Sequence, residues 1–123
     1  MALGNYTEPF LTRTGSALKK REIEVTTLDT LLESHPGLER PLLLKIDTEG
    51  YELNVIRGGA AFLRQTDVVI AEVSVAERFS GSYDFAEFIT AMGEHGFDVH
   101  DFLHLSYRCD NTGTQLADIA FVN

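Results

Sequence analysis

Apolar positions along the chain change period several times, and each change marks a predicted boundary. Leu42-Leu43-Leu44 with Ile46 form a short apolar run between Pro41 and the acidic turn Asp47-Thr48-Glu49. A run this short and continuous suits a strand buried on both faces, the kind found in parallel sheets. After Gly50 the period lengthens: Leu53, Ile56, Ala60 and Leu63 recur at helical spacing, which predicts a helix starting near Glu49 to Tyr51. Gly58-Gly59 interrupts that stripe, and glycine in a helix costs about 1 kcal/mol relative to alanine. Either the helix breaks there or close packing wants no side chain. Asp67 to Ser74, DVVIAEVS, reads as a second apolar strand with Glu72 near its carboxyl end. Leu42 to Ser74 therefore spells strand, helix, strand. A crossover of this length predicts a right-handed βαβ unit in which Leu42–Asp47 and Val68–Val73 are parallel neighbours.

Shorter signals flank this unit. TLDTLLESH reads as one short helix, with Thr27 as N-cap, Asp29 in the first turn and Pro36-Gly37 as its stop. Asp84-Phe85-Ala86-Glu87 predicts a capping box, followed by the stripe Phe85, Phe88, Ile89 and Met92 and an end at His95-Gly96. FDVHDF and LADIAFV are two further strands, and the turn-rich loop between them is short enough for antiparallel pairing. Upstream, Tyr6 to Arg13 and the alternating REIEV predict two strands paired across Gly15. The whole reads as a single domain over residues 1–123, with a hairpin or edge region (1–26) before an α/β half-sheet (27–123).

Composition narrows the classes of function. The net charge of −9 repels a phosphate backbone, so no nucleic-acid partner is expected. The one basic patch, Lys19-Lys20-Arg21, is followed at once by Glu22 and Glu24. Cys109 is the single cysteine, which excludes an intrachain disulfide and a cysteine-based metal site and suits a small packing residue. The first ten residues lack the basic and apolar regions of a signal peptide, and no apolar run approaches the roughly 20 residues of a membrane span. No membrane partner and a cytoplasmic location are expected. His35 and His95 fall at helix C-termini, and His100 and His104 have no telling ligand spacing.

The acids at the strand ends carry the candidate chemistry. In an open α/β sheet, ligands bind in the crevice beyond the carboxyl ends of the parallel strands. Asp47 ends one such strand and Glu72 nearly ends its neighbour, and adjacent strands lie about 4.8 Å apart. Glu49 and Glu52, near a helix N-terminus, read first as caps of backbone amides. Asp47, Glu49 and Glu72 are hard oxygen ligands of the type that suits Mg²⁺, but such spacing is common by chance and no metal site is assigned.

LLLKIDTEGYELNVIRGG resembles the central motif of the FkbM-family methyltransferases, of the form KIDVEGxExxVLxGA. The agreement is at Lys45, Ile46, Asp47, Glu49, Gly50, Glu52 and Gly58. Val25 to Asp29 is similar to the family's V-x-T-L-D segment, VIAEVS to its next strand, and ALGN to its short A-x-G stretch. The resemblance implies a Rossmann-like, three-layer α/β/α fold that uses S-adenosylmethionine to methylate a hydroxyl of a small molecule. It places Asp47 beside the methyl donor or acceptor, as both cofactor-binding and catalytic residue, with Lys45, Glu49 and Glu72 as further catalytic candidates. The family's glycine-rich D-x-G-A-N-x-G turn and the second strand with its ribose-binding acid have no counterpart in these 123 residues. The expectation is the second half of the sheet, truncated on its N-terminal side, with an antiparallel last strand, inactive alone and binding cofactor weakly. A non-catalytic remnant or interaction domain, pairing with itself as a homo-oligomer or with a complementary half, is the alternative reading.

Overall fold

Residues 21–123 are described by the computed structural model. They form α1 (Leu28–Ser34), β1 (Leu43–Ile46), α2 (Glu52–Arg57), α3 (Ala60–Leu63), β2 (Val68–Ser74), α4 (Phe85–Glu94), β3 (Asp98–Tyr107) and β4 (Thr114–Val122). The strand Tyr6–Arg13, the Gly15 turn and the ALGN stretch lie outside the described residues.

β1 and β2 pair in parallel, from Leu43 opposite Val68 to Ile46 opposite Ala71. An acid-to-amide bond helps set that register: Asp67 accepts from the Leu42 amide at 2.8 Å and, at the surface, from Arg40 Nη2 at 2.6 Å. β4 then inserts antiparallel between β2 and β3, giving the order β1-β2-β4-β3. The result is a mixed α/β fold on a four-stranded, mostly antiparallel sheet. β3 and β4 are joined by a loop that spans only Arg108 to Gly113, too short for anything but an antiparallel return.

One face of the sheet carries the core. Ile46, Val69, Ala71, Val73, Ala117, Ile119 and Phe121 alternate inward and meet Leu53 and Ile56 of α2, Leu63 of α3, and Phe88 and Met92 of α4. α1 packs on α3. The second helical layer of a three-layer sandwich is not found among the described residues. The apolar run at Leu42–Ile46 is accordingly not buried on both faces. Leu43 is 61% exposed, because the sheet face it shares with Lys45 has no helix over it among the described residues. REIEV also departs from expectation: residues 21–27 form no strand, and the partner expected for it, Tyr6–Arg13, lies outside the described residues.

Both readings of Gly58-Gly59 hold. α2 ends at Arg57 with Gly58 as its C-cap, and α3 restarts at Ala60. A Cβ on Gly59 would lie 2.8 Å from Leu28 Cδ1, and one on Gly58 would lie 3.3 Å from Thr27. Thr27 caps α1 as expected, accepting from the Thr30 amide, and Asp29 reaches across to accept the Phe62 amide at 2.9 Å. Only half of the capping box at α4 forms. Asp84 accepts from the Glu87 amide, while the Glu87 carboxylate pairs with Arg57 of α2 at 2.9 Å.

Candidate active site

The turn from β1 into α2 is built around a buried carboxylate. Glu49 (φ 56°) and Gly50 (φ 104°) both take left-handed backbone conformations, which swing the chain sharply off the end of β1. Glu52, 1% exposed, fills the inside of that bend. It accepts from the Thr48 amide at 3.0 Å, the Thr48 hydroxyl at 3.0 Å and the Gly50 amide at 3.0 Å. Tyr83 donates to its other oxygen at 2.7 Å and in turn accepts from the Ser74 amide at 3.1 Å. The turn after β1 and the end of β2 are thus fastened through one tyrosine. Burial alone would raise the Glu52 carboxyl, but the Gly50 amide, Tyr83 and the Thr48 amide outweigh it and hold the group below its usual range. Burial pushes the Tyr83 phenol above its ordinary value, and the carboxylate it serves adds to the rise. The cap reading of Glu52 is correct, and its hold is stronger than a surface cap because the carboxylate is almost fully shielded from solvent.

With the turn pinned, three acids converge. Asp47, Glu49 and Glu72 each place a carboxylate oxygen within 4.8 Å of the others. Asp47 and Glu49 are exposed and Glu72 is half-buried. Burial raises the Glu72 carboxyl, and the charges of Asp47 and Glu49 raise it further. Asp118 also contributes to that rise; the sheet register sets it directly opposite Glu72 on β4. Lys45 stands on the same face but not in the triad, with its ammonium 3.3 Å from Asp118. Of the expected site residues, Asp47, Glu49 and Glu72 are brought together, and Lys45 is a flanking countercharge.

Two residues of this site were not singled out in sequence. Asp118 sits in a strand far along the chain, and only the β2–β4 pairing brings it to Glu72. Arg78 follows β2 and lays its guanidinium 2.6 Å from Glu49 and 3.7 Å from Glu72. It is only 18% exposed and also lies over the Phe79 ring, 5.2 Å from the centroid. Carboxylates at this spacing have the donor type for a hard cation. Here an internal guanidinium already sits against two of them. The same segment bends over the turn, with the Phe79 ring packed on Gly50. It leaves a cleft of about 360 Å³ between α2 and Phe79–Tyr83, and Glu49 borders both this cleft and the acid triad.

The fold and these acids define an α/β domain with its polar site at the carboxyl ends of two parallel strands, the position where such sheets bind ligands. Residues 4–99 match the family model described as the Methyltransferase FkbM domain, and the chain belongs to that family. The match ends at residue 99, so β4 and most of β3 lie beyond it. No curated protein and no solved structure matches the chain. Among the described residues, no helix is long and apolar enough to cross a membrane.

Proposed function

We propose that this chain is part of an S-adenosylmethionine-dependent O-methyltransferase, with the Asp47, Glu49 and Glu72 cluster facing the reacting groups. The family match carries the transferase reading. The observation that supports the site is the convergence of those carboxylates within 4.8 Å at the strand ends.

The described residues fit one end of the cofactor and not the other. A cationic sulfonium is complemented by a group of carboxylates that has two nearby countercharges, Arg78 and Lys45. The nucleoside and the amino-acid tail need backbone amides of a glycine turn and an acid on a second strand. Neither is found in these 123 residues. The cofactor, when bound, supplies an electrophilic methyl group. The role left to this chain is to take the proton of an acceptor hydroxyl. Glu72 suits that role, since a carboxyl raised by burial and by neighbouring acids is a better base than an ordinary one. Asp47 and Glu49 hold its charge state and orient the acceptor.

Titration calorimetry of the chain with S-adenosylmethionine should give weak binding or none. Light scattering tests self-association through the outer edge of β1, which has no strand beside it among the described residues. Micromolar affinity in a clean monomer would overturn both expectations. In a form complemented with a cofactor-binding half, Asp47→Asn should lower methyl transfer by at least about tenfold while keeping the turn. Wild-type turnover with asparagine at position 47 would make Asp47 a turn residue only. The non-catalytic alternative predicts no transfer in any complemented form.

A further inference from the structure

We propose that residues 76–82 form a strap that closes the acid triad from within, with Arg78 as its latch. A small organic cation of sulfonium type enters the triad by displacing that guanidinium. This rests on the reading that the triad faces a cationic methyl donor, and adds a gate to it.

The strap is fastened at both ends and lightly held between them. At its start the Val75 and Ala76 amides donate to the Gln115 carbonyl at 2.9 Å and 3.3 Å. Just past its end Tyr83 is buried and donates to Glu52. None of residues 76–82 is buried or belongs to a helix or strand. Between the anchors, its ion pairs with the rest of the domain are, among the described residues, those of Arg78 with Glu49 and Glu72. The Phe79 ring adds an apolar contact on Gly50 and lies under the same guanidinium. A segment with so few buried contacts opens at low cost.

Two features within the strap favour release. Gly81 has a φ of 78° and open space around the position of a Cβ, so the chain can rotate there without a clash. The Ser82 hydroxyl oxygen is shielded from solvent and has no hydrogen-bond partner among the described residues. The closed strap carries that cost, and water removes it on opening.

The latch is chemically a competitor. Its guanidinium, 18% exposed, sits against two of the three carboxylates that would face a sulfonium. Two cations held against Glu49 in a partly buried site repel each other. Arg78 therefore leaves Glu49 as the ligand cation arrives, and Phe79 lifts from Gly50 with it. The apparent affinity is reduced by the fraction of chains whose strap is open, so loosening the latch should raise it.

The test is an NMR titration of the labelled 123-residue chain with trimethylsulfonium chloride at constant ionic strength, with tert-butanol as a neutral comparison of similar shape. Trimethylsulfonium should bind saturably and move the Arg78 Nε–H, Gly50 amide and Phe79 ring signals, and tert-butanol should not. Arg78→Gln should bind it about tenfold more tightly, because the competitor is gone. Phe79→Ala, which changes no charge, should tighten binding about threefold by loosening the latch. That second variant separates a gate from plain repulsion between two cations, and its spectrum reports whether the fold is kept. Unmoved Arg78 and Phe79 signals at saturation, no tightening in Arg78→Gln, or no tightening in Phe79→Ala would each overturn the inference. So would the absence of saturable binding in all three forms. The two readings fail separately. Displacement of Arg78 in a complemented form that transfers no methyl group would sink the enzyme reading and leave the gate. Methyl transfer with the Arg78 and Phe79 signals unmoved would do the reverse.

Discussion

The Tyr83 hydroxyl stands 2.7 Å from Glu52 Oε2 and 3.1 Å from the Ser74 amide, so one side chain fastens the ends of β1 and β2 to each other. Both partners are buried, and neither can turn to water if the hydroxyl is removed. Glu52 keeps its Thr48 and Gly50 bonds in Tyr83→Phe but the Ser74 amide loses its tyrosine acceptor, so the variant should cost about 1–3 kcal/mol. Urea unfolding measures it. A loss below the low end of that range would show that water reaches the network.

Glu52 and Glu72 should give opposite pH dependences. Glu52 is held below the usual carboxylate range, so its stabilisation is present above the unfolded-state pKa and is lost as pH falls through the lower folded value. Glu72 is held above that range, first by burial and then by Asp47 and Glu49. Its favourable contribution is present below the unfolded-state pKa and is lost as pH rises through the raised folded value. At neutral pH, Glu72→Gln should thus be more stable than the parent and Glu52→Gln less stable. Both differences should shrink in acid as the native carboxyls become protonated. Thermal unfolding followed across pH would refute this if the two variants moved in the same direction.

Gly50 combines two constraints that, among the described residues, are not found together elsewhere. Its φ of 104° disfavours any side chain, and a Cβ there would lie 2.7 Å from Phe79 Cδ2. Gly50→Ala should cost about 1–3 kcal/mol for the backbone alone, plus displacement of the ring. Adding Phe79→Ala should return only the ring's share. Denaturant midpoints of the single and double variants separate these contributions; full recovery in the double variant would mean that backbone strain is negligible.

Arg78→Gln should leave the acid triad with less countercharge. The guanidinium lowers the Glu72 carboxyl against its acidic neighbours. Without it, the Glu72 titration midpoint should climb further, as followed by carboxyl ¹³C NMR. An unchanged midpoint would show that Arg78 is only a surface partner of Glu49.

The local order of elements was readable from the residues alone. Apolar period, the threonine cap at position 27, the aspartate cap at position 84 and the glycine pair at 58–59 all act within a few residues, and a chain pattern records such effects directly. The parallel pairing of β1 with β2 followed from the length of the crossover between them. The acids at the ends of those strands were visible for the same reason, because strand position alone aims Asp47 and Glu72 at one crevice.

What needed the tertiary structure was decided by distance in space. Asp118 reaches Glu72 only through β4, and Arg78 reaches Glu49 only because the segment after β2 folds back over the β1 turn. Glu52 looked like an ordinary helix-start acid, and nothing near it in sequence foretold Tyr83 as its partner. The exposed face of β1 was likewise not legible, since LLLKI reads as buried whichever side its neighbours cover. Period and composition report what a side chain prefers. Which groups share a dry space depends on contacts between residues distant along the chain, and those preferences do not encode them one residue at a time.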